Sequence, residues 1–327
     1  MSLPPLYPLR FEPIFKPAIW GGRRLAEMFP GAPAEGPIGE AWVLSDHGKD
    51  VSVIADGPLK GTTLRELMQT RREELLGPSL AHYDTFPLLL KIIDARENLS
   101  VQVHPNDELA QTLAGVPRGK TEAWVVLRAE PGSRIYAGLK EGVDRPRLER
   151  AIADGTVADC LHSFELKQAG DCIFLPAGTV HALGGGITVF EVQQTCDTTY
   201  RLFDWDRIDA RTGRPRELHI DPALASTDFA RGPVVRTKPE VVEGPGLTAK
   251  TVESQNFMVR HTTLEATYRF DGFAECRIVI ALRGGGAVRH AGGTTPLALF
   301  VPVLIPPGQA IECAPDHKVS FLVIRPL

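Results

Sequence analysis

Two histidines, a glutamate and a glutamine fall in an order that could hold a metal ion. Gln102 and His104 stand two residues apart in Gln102-Val103-His104, Glu122 follows Lys120-Thr121, and His181 ends the run Gly170 … Pro176-Ala177-Gly178-Thr179-Val180-His181. Residues two apart on a strand share a face, so Gln102 and His104 can point together into a β-barrel. Glu122 opens the apolar run Ala123-Trp124-Val125-Val126-Leu127, which reads as a second strand. His181 leaves a tight Pro-Gly turn at the start of a third. Two imidazoles, a carboxylate and an amide oxygen suit a borderline divalent ion, zinc above all. No thiolate is placed to join them. Open positions for water or substrate mark a catalytic rather than a structural site.

A single histidine would not carry this reading. His82, His162, His219 and His317 have no partners at suitable spacing, and His47 in Ser45-Asp46-His47-Gly48 reads as a turn residue. The joint pattern is what separates His104 and His181 from them. Gly-x5-Pro-x-Gly-x2-His matches the second motif of the cupin barrel without a gap.

The elements around these residues read as β-structure. The 327 residues are 43% hydrophobic and 23% charged, with 31 Gly and 27 Pro, which suits a turn-rich β-protein. A net charge of −4 with no basic run argues against nucleic acid or an anionic membrane as the main partner. No apolar stretch approaches the ~20 residues of a membrane span. Residues 1–10 are proline-rich and lack a signal-peptide core. Five cysteines, odd in number and without a CxxC pair, fit free thiols in a reducing cytoplasm.

Residues 1–60 mix prolines with short apolar runs and predict strands and turns. A helix is expected over 62–77, capped by Thr62 or Thr63 and stopped by Gly77-Pro78. Residues 87–93 form a buried-strand run. Further helices are expected from Asn106-Asp107 to Gly115, over 144–155, and around 221–226. Gly184-Gly185-Gly186 reads as a tight hairpin. Residues 246–327 predict an all-β module with strands at 277–282, 298–304 and 319–324. The expected fold is mainly β: two cupin-like β-barrel or jelly-roll units with a few short helices. The first, residues 1–225, holds the metal; a connector at 226–245 leads to a metal-free barrel at 246–327.

The flanking segments narrow the family. Asn98-Leu99-Ser100-Val101-Gln102-Val103-His104-Pro105-Asn106-Asp107 resembles the zinc-binding segment of class I (type I) mannose-6-phosphate isomerases. Gly119-Lys120-Thr121-Glu122-Ala123-Trp124 is similar to their second segment, and Glu191 through Asp197 to Arg201 to their third. Ile19-Trp20-Gly21-Gly22 and Gly39-Glu40-Ala41-Trp42 resemble their N-terminal signatures. The resemblance runs from about residue 10 to 220 and more weakly to the end. It implies one zinc ion per chain on Gln102, His104, Glu122 and His181. It also implies a catalytic arginine at Arg201, acid/base candidates at Glu191 and Asp197, and pocket positions at Ser100 and Lys120. Only 58 residues separate Glu122 from His181, so the long form's helical insertion is missing, as in the short bacterial subtype. After Arg201 the chain reads Leu202-Phe203-Asp204-Trp205-Asp206-Arg207 instead of Gly-Leu-Thr-Pro-Lys. Arg207 is therefore the expected stand-in for the long form's lysine as a substrate contact.

The implied reaction is the interconversion of mannose 6-phosphate and fructose 6-phosphate by a cytoplasmic enzyme. Such chemistry needs a base near C2, electrophilic help at the oxygens and a phosphate anchor. Lys120 and Arg201 can offset enediolate charge or bind phosphate. The base stays open between the carboxylates, and no Gly-rich phosphate cradle is present. Cys196 has no evident base beside it and reads as a packing residue. The competing readings are an isomerase of another phosphosugar and a metal-binding sugar sensor without catalysis. A cupin dioxygenase using iron is disfavoured, because it would leave the Lys-Thr-Glu and Asp-x3-Arg segments unexplained.

Overall fold

The run Leu88–Ala95 is apolar except for Lys91 and Asp94, and it forms a strand buried along its whole length. A strand buried on both faces must lie inside a sheet that is covered on both sides. In this computed structural model, which describes residues 4–166, 168–210 and 212–327, the strand lies within a six-stranded sheet. The order is Cys172–Leu175, Glu122–Ala129, Ile187–Gln194, Leu88–Ala95, Glu40–Leu44, Ile14–Lys16. A five-stranded sheet runs Leu161–Glu165, Arg134–Leu139, His181–Leu183, Val101–Val103, Tyr200–Phe203. The two meet face to face: Ile93, Trp124 and Val189 from the first pack with Ile135, Ala137 and Leu183 from the second. The five-stranded sheet's other face is covered by the helices Arg145–Ala153 and Ile220–Ser226, through Leu148, Ala223 and Leu224.

The chain divides into two compact units that are discontinuous in sequence. One comprises Phe15–Ala41 and Leu90–Thr237; the other comprises the segment ending at Ile14, Trp42–Leu89 and Lys238–Leu327. This partition differs from the expected consecutive units 1–225 and 246–327, and the reason lies in strand pairing. Leu9 and Arg10 pair with Leu304 and Val303. The N–H of Cys276 donates to the carbonyl of Leu76 at 2.9 Å. The second unit holds a seven-stranded sheet that includes Phe257–Leu264, Val319–Pro326 and Arg277–Arg283, and a four-stranded sheet that includes Tyr268–Phe270 and Ile311–Pro315. Leu264, Val279 and Phe321 of the first pack with Val288, Ile311 and Cys313 of the second.

Local signals explain several helix ends. Asn106 accepts from the N–H of Leu109 and Gly115 ends that helix at φ 66°. Asp144 caps Arg145–Ala153 in the same way. The helix expected over 62–77 is two helices, Leu64–Thr70 and Arg72–Leu76, because Arg71 leaves helical geometry at φ −142°. Thr63 and Glu66 form the capping box. The short helix Arg24–Met28 was not expected from sequence. The late strand read over 298–304 is confined to Val303–Ile305, since Phe300 turns the chain at φ 62°. The glycines 184–186 are not a hairpin: they carry the chain from His181–Leu183 in one sheet to Ile187–Gln194 in the other. Among the described residues no helix is long and apolar enough to cross a membrane.

Candidate active site

The Pro-Gly turn is tied directly to the first ligand segment. Gly178 sits at φ 87° and donates its N–H to the carbonyl of His104 at 2.8 Å. The strand that follows places His181 directly opposite Gln102, and Arg201 faces Gln102 from the other side. Glu122 enters from the six-stranded sheet, opposite Gln193. One ligand atom each from His104, Glu122 and His181 lie within 4.8 Å of one another, and all three residues are buried.

The imidazoles are oriented for metal binding. His104 Nδ1 donates to the carbonyl of Thr198 at 2.9 Å and His181 Nδ1 to that of Thr179 at 2.8 Å. These bonds put the proton on Nδ1 and leave each Nε2 with a lone pair. Those nitrogens lie 3.4 and 3.3 Å from the Glu122 carboxylate. Glu122 Oε1 is buried without a hydrogen-bond partner. The Gln102 amide reaches the same point, 3.4 Å from His181 Nε2, and Ser100 donates to its oxygen at 3.2 Å. Two nitrogens, an unsatisfied carboxylate oxygen and an amide within reach fit a divalent metal.

Burial and charge set the protonation states. Burial and the adjacent Lys120 charge lower the pKa of His104, and burial lowers that of His181 to about 4. Both rings are therefore neutral at pH 7, as ligands must be. Burial alone would raise Glu122, but Lys120 and the histidines outweigh it and hold the carboxyl well below the usual range. The Lys120 ammonium bonds to Glu122 and lies 3.1 Å from His104 Nε2.

A cavity of about 330 Å³ opens beside this cluster. Ser100, Gln102, Lys120, Glu191, Asp197 and Arg201, all singled out from sequence, line it. Glu191 is buried, and burial together with the Glu122 charge raises its pKa to about 7. Trp124 Nε1 donates to Glu191 Oε2 at 2.7 Å, and Oε1 has no hydrogen-bond partner. Asp197 lies between strands and pairs with Lys91 at 2.9 Å. Arg201 donates to the carbonyl of Glu217 at 2.6 Å; burial and the neighbouring Arg216 lower its pKa.

Two cations were missed from sequence. Lys91 lines the cavity, buried within 3.8 Å of Glu191 and 3.5 Å of Glu40. Burial opposes its charge, yet the three carboxylates around it raise its pKa. A charged residue inside the run Leu88–Ala95 was the available signal, since a strand buried on both faces holds a lysine only with partners. Arg216 is the second. Arg207, expected among the substrate contacts, is not among the cavity's lining residues; it pairs with Asp204 at 2.7 Å. The other Asp204 oxygen accepts from Arg216 Nε at 2.8 Å, and Arg216 does line the cavity. Cys196 is buried, and its Sγ accepts from the N–H of Thr198.

Comparison with known proteins places the whole chain in a family. A family model described as phosphomannose isomerase type I, catalytic domain, matches residues 9–121. The chain is 35% identical over 317 residues to mannose-6-phosphate isomerase ManA of Bacillus subtilis (strain 168), covering 95% of this chain and 98% of that one. It is 38% identical over 283 residues to a mannose-6-phosphate isomerase of Streptococcus mutans, covering 85% and 87%. A crystal structure of the mannose 6-phosphate isomerase from Bacillus subtilis matches with a TM-score of 0.88 at 29% identity, over 98% of this chain and 100% of that one. With relatives of this identity spanning nearly its whole length, the chain belongs to the type I mannose-6-phosphate isomerase family of aldose–ketose isomerases.

Proposed function

We propose that this chain interconverts mannose 6-phosphate and fructose 6-phosphate with one zinc ion held by Gln102, His104, Glu122 and His181. The observation that carries the zinc assignment is the pair of Nδ1 bonds to the carbonyls of Thr198 and Thr179, which aim both Nε2 atoms at Glu122. A bound zinc ion supplies Lewis-acid polarisation of the sugar oxygens.

Glu191 is our choice of base. Its Oε1 carries no hydrogen bond, its carboxyl lines the cavity, and a pKa of about 7 suits a group that takes and returns a proton. It removes the C2 proton of the open-chain aldose and returns it at C1, while the O2 proton passes to O1. Lys120 and Lys91 offset the negative charge of the enediolate between those steps. Asp197, paired to Lys91, orients that lysine. Arg201 and Arg216 anchor the phosphate with Ser100 at the cavity wall. Arg207 contributes to binding as a positioning residue, by holding Asp204 against Arg216. The unit formed by Phe15–Ala41 and Leu90–Thr237 is then the metal barrel, and the residues from 246 onward form a barrel without one. Five buried cysteines without disulfides suit a cytoplasmic enzyme.

A coupled assay tests the reading. Metal-replete protein should form fructose 6-phosphate from mannose 6-phosphate and lose that activity with a chelator. Activity on a different phosphosugar alone would move the substrate assignment. Stoichiometric metal and sugar binding without turnover would leave a sensor.

A further inference from the structure

The second unit contains a cationic cavity in which no residue assigned to isomerisation takes part. Its strands Phe257–Leu264, Val319–Pro326 and Arg277–Arg283 lie side by side. Arg260 stands opposite Val323, and Val323 opposite Val279, so these three share a face. Arg325 and Arg277 are two residues on from Val323 and back from Val279, and they share that face too. It is the face that sends Val279 and Phe321 into the core between the two sheets. Three guanidiniums thus sit at one end of that core. They line a cavity of about 220 Å³ together with Phe270 and Phe273.

Charge is unbalanced there. Glu275 lies 3.4 Å from Arg277 and 3.6 Å from Arg325. Arg260 makes no direct hydrogen bond or ion pair among the described residues; Glu253 feels its charge but is bonded to Lys250, and the Nε of Arg260, like that of Arg325, is buried without a hydrogen-bond partner. Its cross-strand neighbours are Lys250 and Val323, neither of them acidic. Lys250 itself is engaged by Glu253 at 2.7 Å and Glu240 at 3.2 Å. Arg277 rests on the Phe273 ring at 4.9 Å from its centroid. Arg260 and Lys250 are like charges directly opposite one another, an arrangement that opposes folding, and an anion beside the three guanidiniums offsets the repulsion.

We propose that Arg260, Arg277 and Arg325 form a binding site for a small phosphate monoester, its phosphate held by the guanidiniums and its body resting on Phe270 and Phe273. Guanidinium forks match phosphate oxygens, and a cavity with room for about seven waters accommodates the group and a short body. The site itself is independent of the isomerase reading; only the second phosphate site, at Arg201, rests on it.

Inorganic phosphate is the probe, titrated into the full chain by calorimetry at constant ionic strength, with sulfate and chloride as controls. The expected result is two phosphate sites per chain. Arg260→Gln and Arg325→Gln should each weaken one site at least 10-fold, with kcat/KM for the isomerisation within 2-fold of wild type and an unchanged far-UV spectrum. Arg201→Ala should weaken only the other. A single site that both Arg260→Gln and Arg325→Gln leave intact would overturn the proposal, whether or not isomerase activity is found.

Discussion

Trp124 donates its indole N–H to Glu191 Oε2 at 2.7 Å, and the two residues stand directly opposite one another on paired strands. The register of Glu122–Ala129 against Ile187–Gln194 therefore fixes where the proposed base points. A hydrogen bond to the ionised form of a buried carboxylate favours that form.

Removing this bond should raise the pKa of Glu191 above its value of about 7. In Trp124→Phe, the rise of kcat/KM with pH should move to higher pH, and Glu191→Gln should abolish that limb and cost at least 100-fold in kcat. A bound dication lowers the same pKa, so carboxyl NMR should find Glu191 titrating at lower pH in zinc-loaded than in metal-free protein. The linkage to stability has a definite sign. The folded pKa lies above the ordinary 4.5, so the contribution of Glu191 is fully present below that value and is lost as pH rises through about 7. An acid limb unchanged in Glu191→Gln would remove it as the base.

Metal removal should cost activity without unfolding the chain. The Lys120 ammonium already bonds to Glu122 and lies 3.1 Å from His104 Nε2, so the buried carboxylate keeps a counter-charge. Chelated protein should keep its β far-UV spectrum, lose at least 100-fold in turnover, and recover on zinc addition. Zinc at about 1,000-fold above its Kd should add about 4 kcal/mol of stability, visible as a raised Tm. His181→Ala should lose metal and activity together; retention of stoichiometric zinc by that variant would contradict the ligand assignment.

Lys91 tests the buried charge network. Lys91→Ala removes the cation 3.8 Å from Glu191 and 3.5 Å from Glu40, leaving Lys120 at 3.8 Å from Glu191, and takes away the 2.9 Å ion pair of Asp197. The expected loss is about 3 kcal/mol, at the low end for a broken buried pair because Asp197 is half exposed. Glu191 should then titrate still higher. Urea melts and the pH profile read the two effects separately, and Lys91→Arg should restore stability better than activity.

The cluster of His104, Glu122 and His181 was legible in the sequence because each member sits in a local motif with a strand period or a turn residue. Helix caps at Asn106 and Asp144 were legible for the same reason. What sequence did not reveal depends on register between distant segments. Lys91 looked like one polar interruption of an apolar run until Glu40 and Asp197 were brought to it. Arg207 looked like the replacement cation because it follows Arg201 closely in sequence. Trp205 and Asp206, at φ 57° and 53°, turn the chain there, and Arg216 from the return segment reaches the cavity instead. The division into units was hidden too, since two-residue pairings such as Leu9 with Leu304 leave no periodic signal.

Two glycines of the Gly170–His181 run separate backbone strain from site geometry. Both have positive φ, 96° at Gly170 and 87° at Gly178, so alanine at either strains the backbone by roughly 1–2 kcal/mol. They differ in surroundings. A Cβ at Gly170 meets nothing within 4 Å, whereas one at Gly178 comes within 3.1 Å of Asp228 Cβ and 3.2 Å of the Ser226 carbonyl. Gly178 also donates to the His104 carbonyl and accepts from the N–H of Asp228. Gly170→Ala should therefore lower Tm by a few degrees with zinc affinity unchanged. Gly178→Ala should lower Tm further and weaken zinc about 10-fold, because the displaced turn carries His181 and presses on His104. Competition against a colorimetric chelator measures the difference, and equal zinc affinities in the two variants would show that the turn does not set the metal geometry.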